Sequence, residues 1–477
     1  MSNTAQTAAS KRIASLLDAN SFVEIGGQIT ARSTDFNLSA TETPSDGVIT
    51  GYGVIGGNLV YVYSQDVTVL NGSIGEMHAK KIARLYDLAM KMGAPVIGLV
   101  DCAGMRLQEA TDALNGFGEI YMKQTMASGV IPQITGIFGT CGGGMALIPA
   151  LTDFTFMENT NGKLFVNSPN AIAGNDTSKC DTSSAEFQSR EAGLVDYRGS
   201  EEEVIAGIRT LVTMLPANNE DDVYEECTDD LNRVCPDLAA CAGDTGIALA
   251  QISDNNVFFE VKADYAKEMV TGFIKLNGAT VGAVANRSEI HDAEGNLTES
   301  MESEISARGA WKAASFVEFC DAFNIPVLTL TNVRGFKATK CSEANMAKAV
   351  AKMTYAFANA TVPKVNVIVG SAYGSAYLAM NSKSIGADMV YAWSGAQIGM
   401  MDAKLAAKIM YADSDAATIN EKAAEYATLQ SSVLSAAKRG YVDTIIEAAD
   451  TRKYVIGAFE MLYTKREDRP SRKHGTV

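Results

Sequence analysis

AKKIARLYDLAMKMGAPVIGLVDCAGMR (79–106) and AWKAASFVEFCDAFNIPVLTLTNVRGFK (310–337) are two copies of one pattern. A constant offset of 231 sets Lys81 against Lys312, Pro95 against Pro326 and Gly104 against Gly335. It continues ungapped to Pro132/Pro363, Gly139/Gly370 and Gly143/Gly374. Upstream, at an offset of 221, Gly51-Tyr52 meets Gly272-Phe273 and Gly57 meets Gly278. The polar stretch HDAEGNLTESMESE (291–304) absorbs the difference. A period this long is a duplicated domain; solenoid repeats are far shorter.

Each copy predicts the same pieces. A hairpin of alternating residues comes first (LVYVYSQDVTV, 59–69, in the first copy). A helix follows, with Ile82, Leu85, Leu88, Ala89 and Met92 on one face. Next come a buried strand (VIGLVD, 96–101, or VLTLTN, 327–332), a Gly turn, a second helix, a second strand (PQITGIFG, 132–139, or PKVNVIVG, 363–370) and another Gly turn. Strand, turn and helix in alternation imply parallel sheets with helical crossovers. The fold class is therefore α/β in two duplicated domains, 1–230 and 231–477, with the polar stretch at about 216–256 as linker.

Length and composition agree. At about 150 residues per domain, 477 residues make two or three, and 47% apolar content can fill large cores. A net charge of −16 argues against nucleic acid or an anionic membrane as main partner. Ser128–Thr152 is uncharged, but Pro132, Gln133, Pro149 and its glycines make it a buried strand, a turn and a helix start. The N-terminus (1–22) reads as a short amphipathic helix, without the apolar core of a signal peptide. The eight cysteines form no Cys-x-x-Cys pair, which suits free thiols in a reducing cytoplasm.

Two motifs tempt and fail. Gly51-x-Gly53-x-x-Gly56 matches a dinucleotide fingerprint, but a strand follows it where that fingerprint needs a helix. Ala89-Met90-Lys91-Met92 matches the tetrapeptide that carries biotin, yet Lys91 lies near the end of a helix whose counterpart is Cys320-Asp321-Ala322-Phe323. The histidines, His78, His291 and His474, have no metal-ligand spacing, so no metal site is expected. A Ser-His-Asp triad would need His78 or His291, and no G-x-S-x-G elbow supports one.

Chemistry must then rest on backbone donors or on a cofactor. The runs Ala103-Gly104-Met105, Cys141-Gly142-Gly143-Gly144 and Ala372-Tyr373-Gly374-Ser375-Ala376 end strands and open helices. Free N–H groups at helix starts bind developing negative charge. Tight helix-on-sheet packing is the plain alternative for such glycines. Duplication favours the functional reading, because two equivalent turns suggest two equivalent oxyanion sites.

SIGEMHAKKI (73–82), PVIGLVDCAGMRLQE (95–109) and SGVIPQITGIFGTCGGGMALIPALTDF (128–154) resemble the N-terminal domain of biotin-dependent acyl-CoA carboxyltransferases. FCDAFNIPVLTL (319–330), VRGF (333–336), ATVPKVNVIVGSAYGSAYLAM (360–380) and GADMVYAW (386–393) resemble their C-terminal domain. RIASLLDANSFVEI (12–25) and RPSRKHG (469–475) extend the likeness toward both ends. Propionyl-CoA carboxylase β, methylmalonyl-CoA carboxyltransferase and sodium-pump decarboxylase α subunits are the types in question. The resemblance implies two crotonase-like domains, the first binding acyl-CoA and the second binding biotin delivered on a separate carrier protein. Residue by residue, Gly143 and Gly144 would hold the thioester oxygen, with Ala103, Gly104 and Met105 in the acyl-CoA site. Ser375 and Ala376 would hold the biotin ureido oxygen, with Gly335, Phe336, Tyr373 and Gly374 around it and Leu378 in the substrate pocket. Biotin would supply the base, which fits the scarcity of histidine.

The resemblance also implies a homo-oligomer, a hexamer, located in the cytoplasm. A biotin carboxylase or a membrane decarboxylase β subunit would be a further partner, the latter tethering the complex to a membrane. Asn332 and Arg334 stand where the family commonly has Asp and Pro, and Ser375 where Gly is common. Cys102 and Met105 also depart, and Asn167-Ser168-Pro169 with 173–196 replaces a Gly-Gly-Ala…His stretch that shapes the acyl end. Two other readings compete: a crotonase-type hydratase or isomerase, for which Glu109 is the acidic candidate, and a non-catalytic CoA-binding scaffold.

Overall fold

The computed structural model describes residues 7–32, 41–222, 224–470 and 475. The chain divides into two compact units, Met1–Val223 and Tyr224–Val477. The break falls slightly before the one expected after residue 230. Residues just past it already belong to the second unit, where the Glu225 N–H donates to the Gly278 carbonyl at 3.0 Å.

The first unit carries β1 (Val23–Glu24), β2 (Val48–Ile55), β3 (Asn58–Gln65), β4 (Val96–Cys102), β5 (Gln133–Gly142), β6 (Phe154–Glu158), β7 (Lys163–Phe165) and β8 (Tyr197–Gly199). Their order is β1-β2-β3-β4-β5-β6-β8, with β7 also on β5. β1, β2 and β3 are antiparallel and the rest parallel. The β2–β3 connection is Gly56-Gly57, both at positive φ, so the glycine motif ends in a hairpin turn followed by a strand, and LVYVYSQDVTV (59–69) supplies only the second hairpin strand, β3, with the turn after it. Helices α1 (Ala8–Leu16), α2 (Glu76–Met92), α3 (Ala110–Ala127), α4 (Leu147–Leu151), α5 (Ala185–Arg190) and α6 (Glu201–Met214) complete the unit.

Helix α2 buries Ile82, Leu85 and Ala89 against the sheet, while Met92 at its last turn is 59% exposed and leaves the expected apolar face. Lys91 is exposed in that turn, so its tetrapeptide is helical. The 128–152 stretch is β5, a single helical turn and α4, and among the described residues no helix is long and apolar enough to cross a membrane.

The second unit repeats the plan. Its sheet runs β9 (Phe258–Val261), β10 (Met269–Leu276), β11 (Ala279–Asn286), β15 (Val327–Val333), β17 (Lys364–Tyr373), β18 (Met389–Trp393) and β20 (Thr444–Ile446), with β19 (Gln397–Gly399) on β17. Between β11 and β15 the polar 291–304 stretch forms most of an added ribbon, β12 (Glu289–His291) with β13 (Leu297–Ser300), and the start of β14 (Glu304–Ile305), which pairs with β16 (Gly335–Phe336). Helices α7 (Thr245–Ile252), α8 (Ala307–Ala322), α9 (Lys340–Glu343), α10 (Met346–Asn359) and α11 (Gly374–Ala379) follow the first unit's pattern. α7 falls inside the expected linker, because Ala248, Leu249 and Ile252 are buried in the second core.

The repeat reaches further than the two offsets reveal. DANSFVE (18–24) recurs as DNNVFFE (254–260) at an offset of 236. Asp18 accepts the Gly57 N–H at 3.3 Å and pairs with Arg209, while Asp254 accepts the Gly278 N–H at 2.7 Å and pairs with Arg452. An acidic side chain thus ties the lead-in segment to the hairpin tip in both units.

Candidate functional site: paired turns at the strand ends

Parallel strands in α/β sheets present their binding turns at their C-terminal ends. Here β4 runs into Ala103-Gly104-Met105 and β5 into Gly143-Gly144, while β15 runs into Gly335-Phe336 and β17 into Gly374-Ser375-Ala376. The structure therefore gathers each set of expected residues at one edge of its own sheet.

The two glycine-opened turns match closely. Gly143 has φ +63° and Gly374 φ +60°, a conformation glycine adopts without strain. Each opens a helical turn, and the first N–H groups of a helical turn have no partner within it. Gly144 and Ser375, its counterpart, are exposed, whereas Ala376 is one position deeper with its side chain buried. A Cβ on Gly143 would meet nothing within 4 Å, so the approach to that turn is open within the unit. Beside the first turn the Tyr121 hydroxyl donates to the Gly144 carbonyl at 2.6 Å. Beside the second, Tyr373 donates from its hydroxyl to Gln397 Oε1, and the Met400 carbonyl lies 3.2 Å from where a Gly374 Cβ would be. Leu378 is 45% exposed on the same short helix.

The outer turns are held by short bridges. The Ile74 N–H donates to Gly104 O and the Arg106 N–H to Ile74 O, both at 2.9 Å. In the second unit β14 pairs with β16, and the Lys337 N–H donates to Ile305 O at 2.9 Å. Arg334 lies exposed on that turn, its backbone N–H donating to Ser303 O at 2.7 Å.

In the first unit, charge lies beneath the outer turn. Arg106, fully buried, pairs with Asp46 at 2.6 Å and Glu109 at 2.7 Å and donates to Ser73 O at 2.8 Å. Glu109 also accepts the Glu76 N–H at 2.5 Å where α2 begins. Burial raises the Asp46 carboxyl above its ordinary value against the pull of Arg106. His78 is buried with Nδ1 2.9 Å from the Asp46 carbonyl, and burial, assisted by Arg106, holds its imidazole well below the ordinary value and so neutral. The cluster was missed because Asp46 lies far from Arg106 in sequence and only the fold joins them.

The duplicated lysines are a second such feature. Lys81 donates to the Ser45 carbonyl at 2.8 Å, and Lys312 to the carbonyls of Lys262 and Tyr265 at 2.7 and 2.8 Å. Burial pushes these amines down to about 8 and about 7. Both brace the chain ahead of their hairpins and face carbonyls, which is a structural role. His291 lies 3.5 Å from Asp244, and His474 falls outside the described residues, as do the first six residues and most of the 469–475 tail.

The carboxyl transferase domain family matches this chain over residues 3–477. The chain belongs to that family. It is 39% identical to the methylmalonyl-CoA decarboxylase subunit alpha of Propionigenium modestum, over 98% of this chain and 92% of that one. It is 38% identical to the mitochondrial propionyl-CoA carboxylase beta chain of Sus scrofa, over 98% and 88%. Among solved structures, the transcarboxylase 12S hexamer with hydrolysed methylmalonyl-coenzyme A bound superposes with a TM-score of 0.91 at 36% identity, covering 98% of this chain and 92% of that one. The duplicated crotonase-like fold and the biotin-dependent acyl-CoA carboxyltransferase class are thereby established.

Proposed function

We propose that this carboxyltransferase moves a carboxyl group between carrier-borne biotin and the α-carbon of a short acyl-CoA, of the propionyl/methylmalonyl type that its relatives' names carry. Acetyl/malonyl- and glutaconyl-CoA are the neighbouring substrate types. The observation that carries the reading is the pair of glycine-opened turns, φ +63° and φ +60°, at equivalent strand ends. In the first unit the N–H groups of Gly143 and Gly144 face the thioester oxygen and stabilise it as enolate charge develops, with Ala103, Gly104 and Met105 lining the acyl-CoA site.

In the second unit the donors at Gly374, Ser375 and Ala376 suit a ureido oxygen, an acceptor with no proton to give. Gly335 leaves room beside them, since a Cβ there would meet nothing within 4 Å. Gly335, Phe336 and Tyr373 would flank the ring, and Leu378 the acyl end. Bound biotin supplies the carboxyl group and the base. The chain's own part is to orient two oxygens and hold their charge, and this needs no histidine.

Glu109 bears on the hydratase alternative. Its carboxylate is buried under the turn and committed to Arg106 and to the Glu76 N–H, so it is not free to serve as an acid or base. We place the enzyme in the cytoplasm as a homohexamer, as the transcarboxylase 12S likeness suggests. A biotin carrier protein delivers the cofactor, and a biotin carboxylase or membrane decarboxylase β subunit completes the complex. The test is label exchange from carboxyl-labelled methylmalonyl-, malonyl- or glutaconyl-CoA to free biotin by the purified chain. Biotin-dependent exchange, fastest with methylmalonyl-CoA, is expected; hydration of an enoyl-CoA without exchange would refute the reading.

A further inference from the structure

On the strand that leads to each oxyanion turn the ladder slips. Val100 pairs with Ile137 but Cys102 with Cys141, so two residues of β4 face four of β5. The second unit repeats this, with Thr331 on Ile368 and Val333 on Ala372. A bulge leaves ladder groups without their strand partner, and one side chain repairs each. Asp101 accepts the Thr140 N–H, and Asn332 Oδ1 accepts the Ser371 N–H at 3.0 Å. The N–H groups of these two residues donate to Gln65 Oε1 at 3.3 Å and Asn286 Oδ1 at 3.1 Å. Glycine is required beside each, because a Cβ on Gly139 would collide with the Asp101 carboxylate and one on Gly370 with the Asn332 amide.

The surroundings differ in charge. Asp101 lies 3.3 Å from Arg12, which also pairs with Glu201 and sits over the Phe138 ring. At the offset of 236 the counterpart of Arg12 is Ala248. Asn332 instead donates from Nδ2 to the Ala242 carbonyl at 3.2 Å. The cation and the carboxylate are lost together, and the amide fills the same bulge with a donor where a carboxylate would put an oxygen.

We infer that Asp101 and Asn332 are positioning residues: each latches the bulge whose geometry aims the donors of Gly143-Gly144 or of Gly374, Ser375 and Ala376. Their identities are not interchangeable. Asparagine serves in either unit, because an amide oxygen can take the N–H. In this chain, aspartate at 332 would turn a carboxylate oxygen toward the Ala242 carbonyl that Asn332 Nδ2 now donates to, whereas Asp101 has Arg12 beside it.

This rests on the carboxyltransferase reading, so the test has one arm independent of activity. In the full chain, amide hydrogen exchange of the peptide spanning 371–378 is compared between wild type and Asn332→Ala. Exchange should quicken at least tenfold, while a peptide spanning 140–147 changes only in Asp101→Ala. In the transfer arm, Asn332→Ala and Asn332→Asp should each lose ~10²-fold in kcat, the cost of a misplaced oxyanion donor, with KM for methylmalonyl-CoA unchanged. Asp101→Asn should restore most of what Asp101→Ala loses. Melting temperature and oligomer size establish folding of each variant. Unchanged exchange in both alanine variants, or a folded Asn332→Asp as active as wild type, overturns the inference. Absence of transfer in wild type with the exchange pattern intact would overturn the functional reading and leave the latch standing.

Discussion

Replacing Arg106 by methionine removes the cation from the buried cluster and leaves two carboxylates, Asp46 and Glu109, facing each other without it. Their side chains are 0% and 1% exposed, so water cannot take over, and the Ser73 carbonyl loses its 2.8 Å donor. Removing one partner of a buried pair costs about 3–5 kcal/mol. For a unit of the first domain's size, at 2–4 °C per kcal/mol, that is a fall in its melting transition of roughly 6–20 °C. The pH dependence has a definite sign. Burial already raises the folded-state value of the Asp46 carboxyl, and loss of Arg106 raises it further. A raised carboxyl favours the folded state when protonated, so the deficit is smallest below the unfolded value near 4 and grows as pH rises through the folded one. Calorimetry of Arg106→Met at pH 5 and pH 8 should therefore show the larger loss at pH 8, and adding Asp46→Asn should recover part of it. A variant within 1 kcal/mol of wild type at pH 8, or a deficit larger at pH 5, would refute this account of the cluster.

Gly144→Pro deletes one donor of the acyl-CoA turn and should lose ~10²–10³ in transfer while still releasing carbon dioxide from free carboxybiotin; Ala376→Pro should lose both activities yet bind acyl-CoA. Folded variants with the reverse pattern would sink the site assignment. Leu378→Asp, at an exposed position on α11, should change the ratio of kcat/KM among acetyl-, propionyl- and longer acyl-CoAs. Ala110 is held at φ 43°, ψ −112° where α3 begins, outside the regions open to an L-residue. Ala110→Gly should raise stability by about 1 kcal/mol, read from the shift in denaturation midpoint.

What the sequence determined by itself was everything set by local pattern and by repetition. Apolar spacing placed α2 and β4, Gly-Gly punctuation placed the β2–β3 hairpin, and an ungapped offset of 231 placed four turns at equivalent strand ends. Alignment of Gly143 with Gly374 already implied the shared backbone conformation, since a conformation open to glycine is kept where glycine recurs. The same logic blurred where local signals are weak. The polar lead to α7 read as linker because a short helix is stabilised by the core it joins, which no window of sequence displays. Met92 read as buried because the apolar stripe does not say where the sheet stops covering it. Tertiary structure alone decided which charges meet. Asp46 reaches Arg106, Arg12 reaches Asp101, and Asn332 reaches Ala242 and Ser371 across long separations in the chain. A burial cost and a bulge's orphaned N–H are properties of packed surroundings, so the meaning of Asn332 in place of Asp appears only once its neighbours are assembled around it.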